Sequence, residues 1–102
     1  MTRDWETATR SGDIAAVLEL IRAGANVNSL DRYNQTALMH AAHRGDLAMV
    51  KLLVESGANM EVRAKLHLSA LDLARIGHHA KVVEFLLAAG AQSEQSTKGP
   101  GV

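Results

Sequence analysis

The chain repeats itself every 33 residues, and this period limits its fold more than any other feature. The motif Gly-Ala-Asn, or its variant Gly-Ala-Gln, begins at Gly24, Gly57 and Gly90. The same register aligns apolar positions without gaps: Trp5 with Leu38 and Leu71, Ala8 with Ala41 and Ala74, Val17 with Val50 and Val83, and Leu20 with Leu53 and Leu86. A period of this length indicates a solenoid, in which each unit buries its apolar side against its neighbours.

Each unit is predicted to contain two short helices. In the middle unit Thr36 is a favourable N-cap for a helix over residues 37–44, which Gly45 ends. A second helix over residues 47–56 places its apolar residues on one side, at three- and four-residue spacing. The equivalent helices are expected at residues 4–11 and 14–23 in the first unit and, after the N-cap Ser69, at residues 70–77 and 80–89 in the third.

The segments between the units, residues 25–35 and 58–68, are predicted to form extended, β-hairpin-like loops, because they are too polar for buried strands. Within the second loop Leu66 and Leu68 alternate around one histidine, which is typical of a short strand with one apolar face. We therefore assign residues 1–91 to one domain, with repeats at about 3–25, 26–58 and 59–91, and residues 92–102 to a flexible C-terminal tail.

The 102 residues carry a formal net charge of +0, and cysteine is absent. Without cysteine the chain has no disulfide, thiolate metal site or cysteine nucleophile. A net charge of zero disfavours a protein dedicated to binding nucleic acid or a membrane surface. No apolar run approaches the roughly 18 residues that a membrane-spanning helix needs, and the charged first residues lack the apolar core of a signal peptide. We therefore expect a monomer in the cytoplasm, with the nucleus as an alternative.

Residues 31–46 read DRYNQTALMHAAHRGD, and the preceding unit closes with GANVN at residues 24–28. These segments resemble the ankyrin repeat family, whose pattern combines a threonine-capped helix, paired alanines, a glycine and a closing Gly-Ala-Asp-Val-Asn. The resemblance extends over nearly the whole chain. It implies an all-α ankyrin-repeat solenoid of three stacked helix-turn-helix units, joined by β-hairpin-like loops, in which the first and last repeats act as caps.

The chain departs from the family pattern at several positions. Ala37 and Ala70 replace a proline at the first helical position, which removes some pre-organisation of the helix start. His78 stands where the pattern has a glycine, so we expect the first helix of the third unit to end differently. The other departures concern the family's histidine and the loops: Met39 and Asp72 replace the histidine, Ala64 and His67 replace the aspartate and glycine of the last loop, and Asn34 replaces the other loop glycine.

The resemblance implies binding of a protein partner through the hairpin tips and the concave face of the first helices. Carried onto this chain, these positions form a basic and aliphatic set, here called the predicted contact set: Arg10, Leu30, Arg32, Tyr33, Gln35, His43, Arg44, Arg63, Lys65, Leu66 and Ile76. The hypothesis is a positively charged concave face that binds an acidic-aliphatic segment of the partner, with Tyr33 and the arginines as the strongest contacts. The alternative is that these charges only solvate the face.

Other chemistries find little support in the sequence. The five histidines have no cysteine neighbour and no H-E-x-x-H arrangement, so no metal site is predicted. The glycines mark the ends of repeats rather than a phosphate-binding loop, and no serine has the surroundings of a nucleophile. We expect a non-catalytic module without a cofactor, which scaffolds or inhibits its partner. The alternatives are a self-associating protein, with Phe85 and Leu87 exposed at the open end, or an excised or engineered piece of a longer array.

Overall fold

The computed structural model describes residues 3–91, which form six α-helices. They make three pairs: α1 (Arg3–Ser11) with α2 (Ile14–Arg22), α3 (Ala37–Arg44) with α4 (Leu47–Glu55), and α5 (Ala70–Ile76) with α6 (Ala80–Ala88). Each helix lies within one residue of its predicted bounds. The predicted tail, residues 92–102, lies outside the described residues.

The three helix pairs stack in chain order. Helix α3 packs against both α1 and α5, and α4 packs against both α2 and α6. The molecule is accordingly elongated, with extents of 44 × 24 × 23 Å. This arrangement confirms the predicted all-α solenoid of three helix-turn-helix units.

The apolar columns of the sequence form the core of the stack. Their members in the middle unit are fully buried, and Trp5, the single tryptophan, is 1% exposed in α1. Alanines are buried where α3 packs between its two neighbours, which allows the helices to approach closely. The buried residues of α3 are Ala37, Leu38, Met39, Ala41 and Ala42.

Four helices begin with a side-chain N-cap, and the sequence predicts two of these caps, Thr36 and Ser69. The hydroxyl Oγ1 of Thr36 accepts a hydrogen bond from the backbone N–H of Met39 at 3.2 Å. Ser69 forms a reciprocal capping box with Asp72, whose Oδ2 accepts from the Ser69 N–H at 2.9 Å. Both predicted N-caps are therefore confirmed. In the second helices Asp13 caps α2 and Asp46 caps α4.

Gly45 ends α3 in a left-handed conformation, with φ 79°. A Cβ atom at this position would overlap the ring of His79, whose Nε2 donates to the backbone carbonyl of His43 at 2.9 Å. The glycine therefore lets the third unit pack closely on the second. At the equivalent position of the third unit His78 takes the left-handed conformation, with φ 59°, and α5 ends one residue earlier than α3. The expected difference in this helix end is thus confirmed.

The loops between the units contain no β-strand within residues 3–91. Both close with the same two backbone hydrogen bonds. In the first bond Asp31 N–H donates to the Gln35 carbonyl and Ala64 N–H to the Leu68 carbonyl, each at 2.9 Å. In the second Asn34 N–H donates to the Asp31 carbonyl and His67 N–H to the Ala64 carbonyl, each at 3.0 Å. The short strand predicted around Leu66 and Leu68 is wrong: Lys65–His67 form a 3₁₀ turn, because Leu66 has a left-handed φ of 65° that no strand accommodates.

Candidate partner-binding surface

The first hairpin tip, residues 30–35, is built around the buried side chain of Asp31. Its Oδ1 accepts hydrogen bonds from the backbone N–H groups of Tyr33 at 2.8 Å and Gln35 at 3.0 Å. Its Oδ2 accepts from Nε2 of His40 on α3 at 2.8 Å. One carboxylate therefore fixes the turn and orients it on the first helix of the middle unit.

The protonation of Asp31 follows from these contacts. Burial alone would raise its pKa, but the Gln35 N–H, the His40 side chain and the Tyr33 N–H all stabilise the carboxylate, so the pKa lies below its usual value. A guanidinium nitrogen of Arg10 on α1 also lies 3.8 Å from Oδ2. The first tip is thereby linked to both α1 and α3.

The second hairpin tip, residues 63–68, has Ala64 at the position of Asp31 and is held by different side chains. Arg63 Nη1 donates to the backbone carbonyl of His67 at 2.9 Å and lies 3.4 Å from Oδ2 of Asp72 on α5. Asp72, which replaces the family's histidine, thus caps α5 and holds the arginine that closes the turn. A sequence departure at one tip is compensated by a second departure on the adjoining helix.

The exposed large apolar side chains among the described residues are few and mostly belong to the predicted contact set. Leu30 is 43% exposed, Tyr33 51% and Leu66 86%, and all three lie on the two tips. Ile76, at the end of α5, is 54% exposed. Leu68 is half-buried, so it offers less apolar area to a partner than Leu66 does.

The cations of the predicted contact set are less free than the sequence suggested. Arg10 pairs with Glu6 at 2.9 Å, Arg44 pairs with Asp46 at 3.2 Å, and Arg63 pairs with Asp72 at 3.4 Å. The four-residue spacing of Glu6 and Arg10 on one helix was a visible signal for the first pair. The others depend on how the chain turns between the paired residues, so no local spacing in the sequence predicts them.

Arg32 and Lys65 form no ion pair with any described residue, and both are exposed at the tips. The guanidinium of Arg32 lies 6.0 Å from the ring centroid of Tyr33, at the limit of a cation–π contact. Within the predicted contact set, unpaired positive charge therefore lies at the tips rather than over the concave face. The remaining members of the set lie beside the tips: His43 is exposed on α3, and Gln35 is half-buried.

The outer side of the third unit is more polar than the equivalent side of the second. The positions of Met39, Ala42 and Gly45, which the third unit covers, are occupied one repeat later by Asp72, Arg75 and His78. Phe85 is half-buried, with Nζ of Lys51 5.9 Å from its ring centroid, and Leu87 is 44% exposed. Of the two residues predicted to be exposed at the open end of the stack, only Leu87 is thus prominently exposed.

Shallow depressions lie at the two ends of the stack. One of about 440 Å³ is lined by Arg75, His78 and Val83, and one of about 420 Å³ by Asp4, Asp13 and Leu20, among others. Within residues 3–91 no three His, Asp or Glu side chains are grouped so that they could hold a metal ion. In the same range no helix has the length and apolar character needed to cross a membrane.

Comparisons with known proteins agree with this architecture. The family model for ankyrin repeats, in three copies, matches residues 6–97. A solved structure of a predatory endopeptidase from Bdellovibrio bacteriovorus in complex with an immunity protein contains a similar chain, with a TM-score of 0.81 and 32% sequence identity. The similarity covers 89% of this chain and 48% of that one, so this chain spans about half the length of the matched chain. No curated protein matches this chain.

Proposed function

Because this chain belongs to the ankyrin repeat family, a family of protein-interaction domains, we propose that it is a non-catalytic module that binds a protein partner through its two hairpin tips. The adjoining ends of α1, α3 and α5 complete the contact surface. The three-unit stack supplies the rigid support, because the tips are joined by hydrogen bonds to its first helices. Rigid support reduces the conformational entropy that the tips lose on binding.

The observation that carries this proposal is the placement of exposed apolar side chains. Leu30, Tyr33 and Leu66 project from the tips, although most of the other large apolar residues among the described positions lie in the core or pack against it. Tyrosine at an exposed tip provides a large contact area with few rotatable bonds. The tips therefore combine apolar area with a fixed backbone, which is what a protein-binding surface requires.

The positive charges at the tips favour the binding of a partner segment that is acidic as well as aliphatic. Arg32 and Lys65 can pair with carboxylates of the partner without first breaking an ion pair among the described residues. Such charges mainly accelerate and orient association, whereas apolar contacts hold the complex. Arg44 and Arg63 are secondary in this proposal, because each already has an acidic neighbour.

The similarity to a chain from the endopeptidase–immunity protein complex favours inhibition over scaffolding. We propose that the partner is an endopeptidase and that binding blocks its activity. A small rigid module that covers the entrance of an active site inhibits without chemistry of its own.

The experiment is an affinity capture from lysate of the source organism, with mass spectrometry. The double variant Arg32→Glu/Tyr33→Ala is compared with the wild type and with a matched control on the outer side of the third unit, Lys81→Glu/Leu87→Ala. We expect the wild type and the control to capture the same endopeptidase and to inhibit it when titrated, and the tip variant to do neither. Equal capture by all three proteins would show that the tips are not the binding surface.

Self-association is the second candidate, and the exposed Leu87 is the observation that favours it. Its support is weaker, because Asp72, Arg75 and His78 make the outer side of the third unit polar. Light scattering over a dilution series separates the two functions. A mass that stays at one chain at every concentration would exclude self-association.

A further inference from the structure

The second tip holds two consecutive residues in the left-handed region. Leu66 has φ 65° and His67 has φ 59°. Leucine rarely adopts this conformation, because its Cβ atom crowds the neighbouring carbonyl oxygen. Strained backbone of this kind persists where the surrounding structure fixes it, and it concentrates at functional positions.

The fold itself does not require the strain at Leu66. The first tip closes with the same pair of backbone hydrogen bonds, yet only one of its residues, Asn34, is left-handed. Asn34 aligns with His67, and Tyr33 aligns with Leu66. The extra left-handed residue of the second tip is therefore a feature of that tip and not of the connection between units.

The strained leucine is also the most exposed large apolar residue among the described positions. The turn beneath it is closed by the Arg63 side chain on the His67 carbonyl and by the His67 N–H on the Ala64 carbonyl, at 2.9 and 3.0 Å. The side chain of Leu66 thus projects from a fixed turn. Beside it stands Lys65, whose charge no described acidic residue neutralises.

We propose that Leu66 is the anchor of the partner-binding surface and enters an apolar pocket of the protein partner, with carboxylates at the rim of that pocket facing Lys65. The inference rests on the proposed function and deepens it, because it specifies which side chain carries the affinity and what the partner's site must look like. The left-handed turn sets the direction in which the leucine projects. The strained turn lowers the stability of the free protein, and in return it holds the leucine in the orientation that the partner's pocket selects.

The first part of the test is a comparison of stabilities. Asparagine tolerates the left-handed region, as Asn34 does in the first tip. The variant Leu66→Asn should therefore raise the Tm of the free protein, by about 2–5 °C for a domain of this size. A Tm that is unchanged or lower in Leu66→Asn would overturn the claim that the left-handed backbone at Leu66 destabilises the free protein.

The second part measures binding. The probe is the full chain with a photoreactive benzoylphenylalanine at position 33, which leaves Leu66 in place, added to lysate of the source organism, and a chain labelled at position 87 is the control. We expect a specific crosslink from position 33 to a partner surface that contains an apolar pocket with Asp or Glu at its rim. For the purified crosslinked partner, Leu66→Asn should weaken binding by about tenfold or more, whereas Leu87→Ala, which truncates an exposed leucine outside the tips, should leave it nearly unchanged.

The outcomes separate the two proposals. A partner that the wild type and Leu66→Asn bind equally tightly, or a crosslink into a flat or basic surface, overturns the anchor role and leaves the protein-binding function standing. A chain that captures no protein with any label contradicts both proposals.

Discussion

At the scale of single residues, Asp31 illustrates how one buried carboxylate can organise a hairpin tip. It accepts three hydrogen bonds, from two backbone N–H groups of the tip and from His40. Its pKa lies below the usual value because these donors outweigh the effect of burial. A group whose pKa is lowered in the folded state stabilises the fold in its charged form.

The stabilising effect of Asp31 should therefore depend on pH. It is fully present above the ordinary Asp pKa of about 3.9 and is lost as the pH falls through the lowered pKa of the folded protein. In Asp31→Asn the acceptor oxygen for the backbone remains, but the charge is removed. We expect a free energy of unfolding about 1–2 kcal/mol below that of the wild type at pH 7, and a smaller difference at pH 3, both measured by urea denaturation.

Asp13→Asn is the matched control, because Asp13 is an exposed N-cap and asparagine caps helices about as well as aspartate. Its unfolding should change little at either pH. If Asp31→Asn lost the same stability at pH 3 as at pH 7, the charge of Asp31 would have no part in holding the tip.

At the scale of elements, the helices could be predicted because their start and stop signals are local. Thr36 and Ser69 cap helices from adjacent positions, and Gly45 ends one, so a short window of sequence contains the cause. The loops could not be predicted in the same way. Two different sequences close with the same backbone hydrogen bonds, one through Asp31 and one through an arginine–aspartate pair nine residues apart.

The candidate site, too, could be predicted only in part from the sequence. Its residues could be named from the repeat register, because position within a repeat determines which side chains project from the tips. The unpaired charge at the surface could not be predicted, because the Arg44–Asp46 pair depends on the turn between α3 and α4, and the Arg63–Asp72 pair depends on how the second tip packs on α5. The left-handed turn at Leu66 was missed because an alternating apolar pattern favours a strand.

The start of α5 offers a direct test of the missing proline. Ala70 is the first helical residue, and Ser69 before it is extended, with φ −93° and ψ 177°, a conformation that a following proline accepts. Ala70→Pro should therefore raise the free energy of unfolding by about 0.4–1 kcal/mol, because the ring restricts the unfolded chain. Chemical denaturation measures the change.

A proline four residues later, in Ala74→Pro, is the control. It lies inside α5 and should cost about 3 kcal/mol or more. Ala70 is buried, so a loss of stability in Ala70→Pro would mean that the ring does not fit against its neighbours. In that case, tight packing would account for the departure from the family pattern.

At the scale of the whole molecule, the stack is a linear chain of interfaces in which the middle unit contacts both others. No single pair of eight- or nine-residue helices buries enough apolar surface to be stable alone. The units should therefore unfold together, and both tips depend on this cooperativity because each is held by a different unit.

Trp5 makes this cooperativity measurable. It is the single tryptophan, buried in α1, and its fluorescence reports on the first unit alone, whereas circular dichroism reports on all helices. Leu71→Ala removes a buried side chain from α5, in the third unit, and should cost about 2–5 kcal/mol. We expect the Trp5 transition to move to lower urea concentration by the same amount as the dichroism transition, although the substitution lies two units away.

Leu87→Ala provides the comparison for this experiment, since Leu87 is exposed in α6 and its truncation should shift neither transition appreciably. If Trp5 unfolded at the wild-type urea concentration in Leu71→Ala while the helical signal fell earlier, the third unit would be unfolding on its own. The second tip would then lose its support independently of the first. A partner that engages both tips would in that case bind the variant through the first tip alone, with a correspondingly weaker affinity.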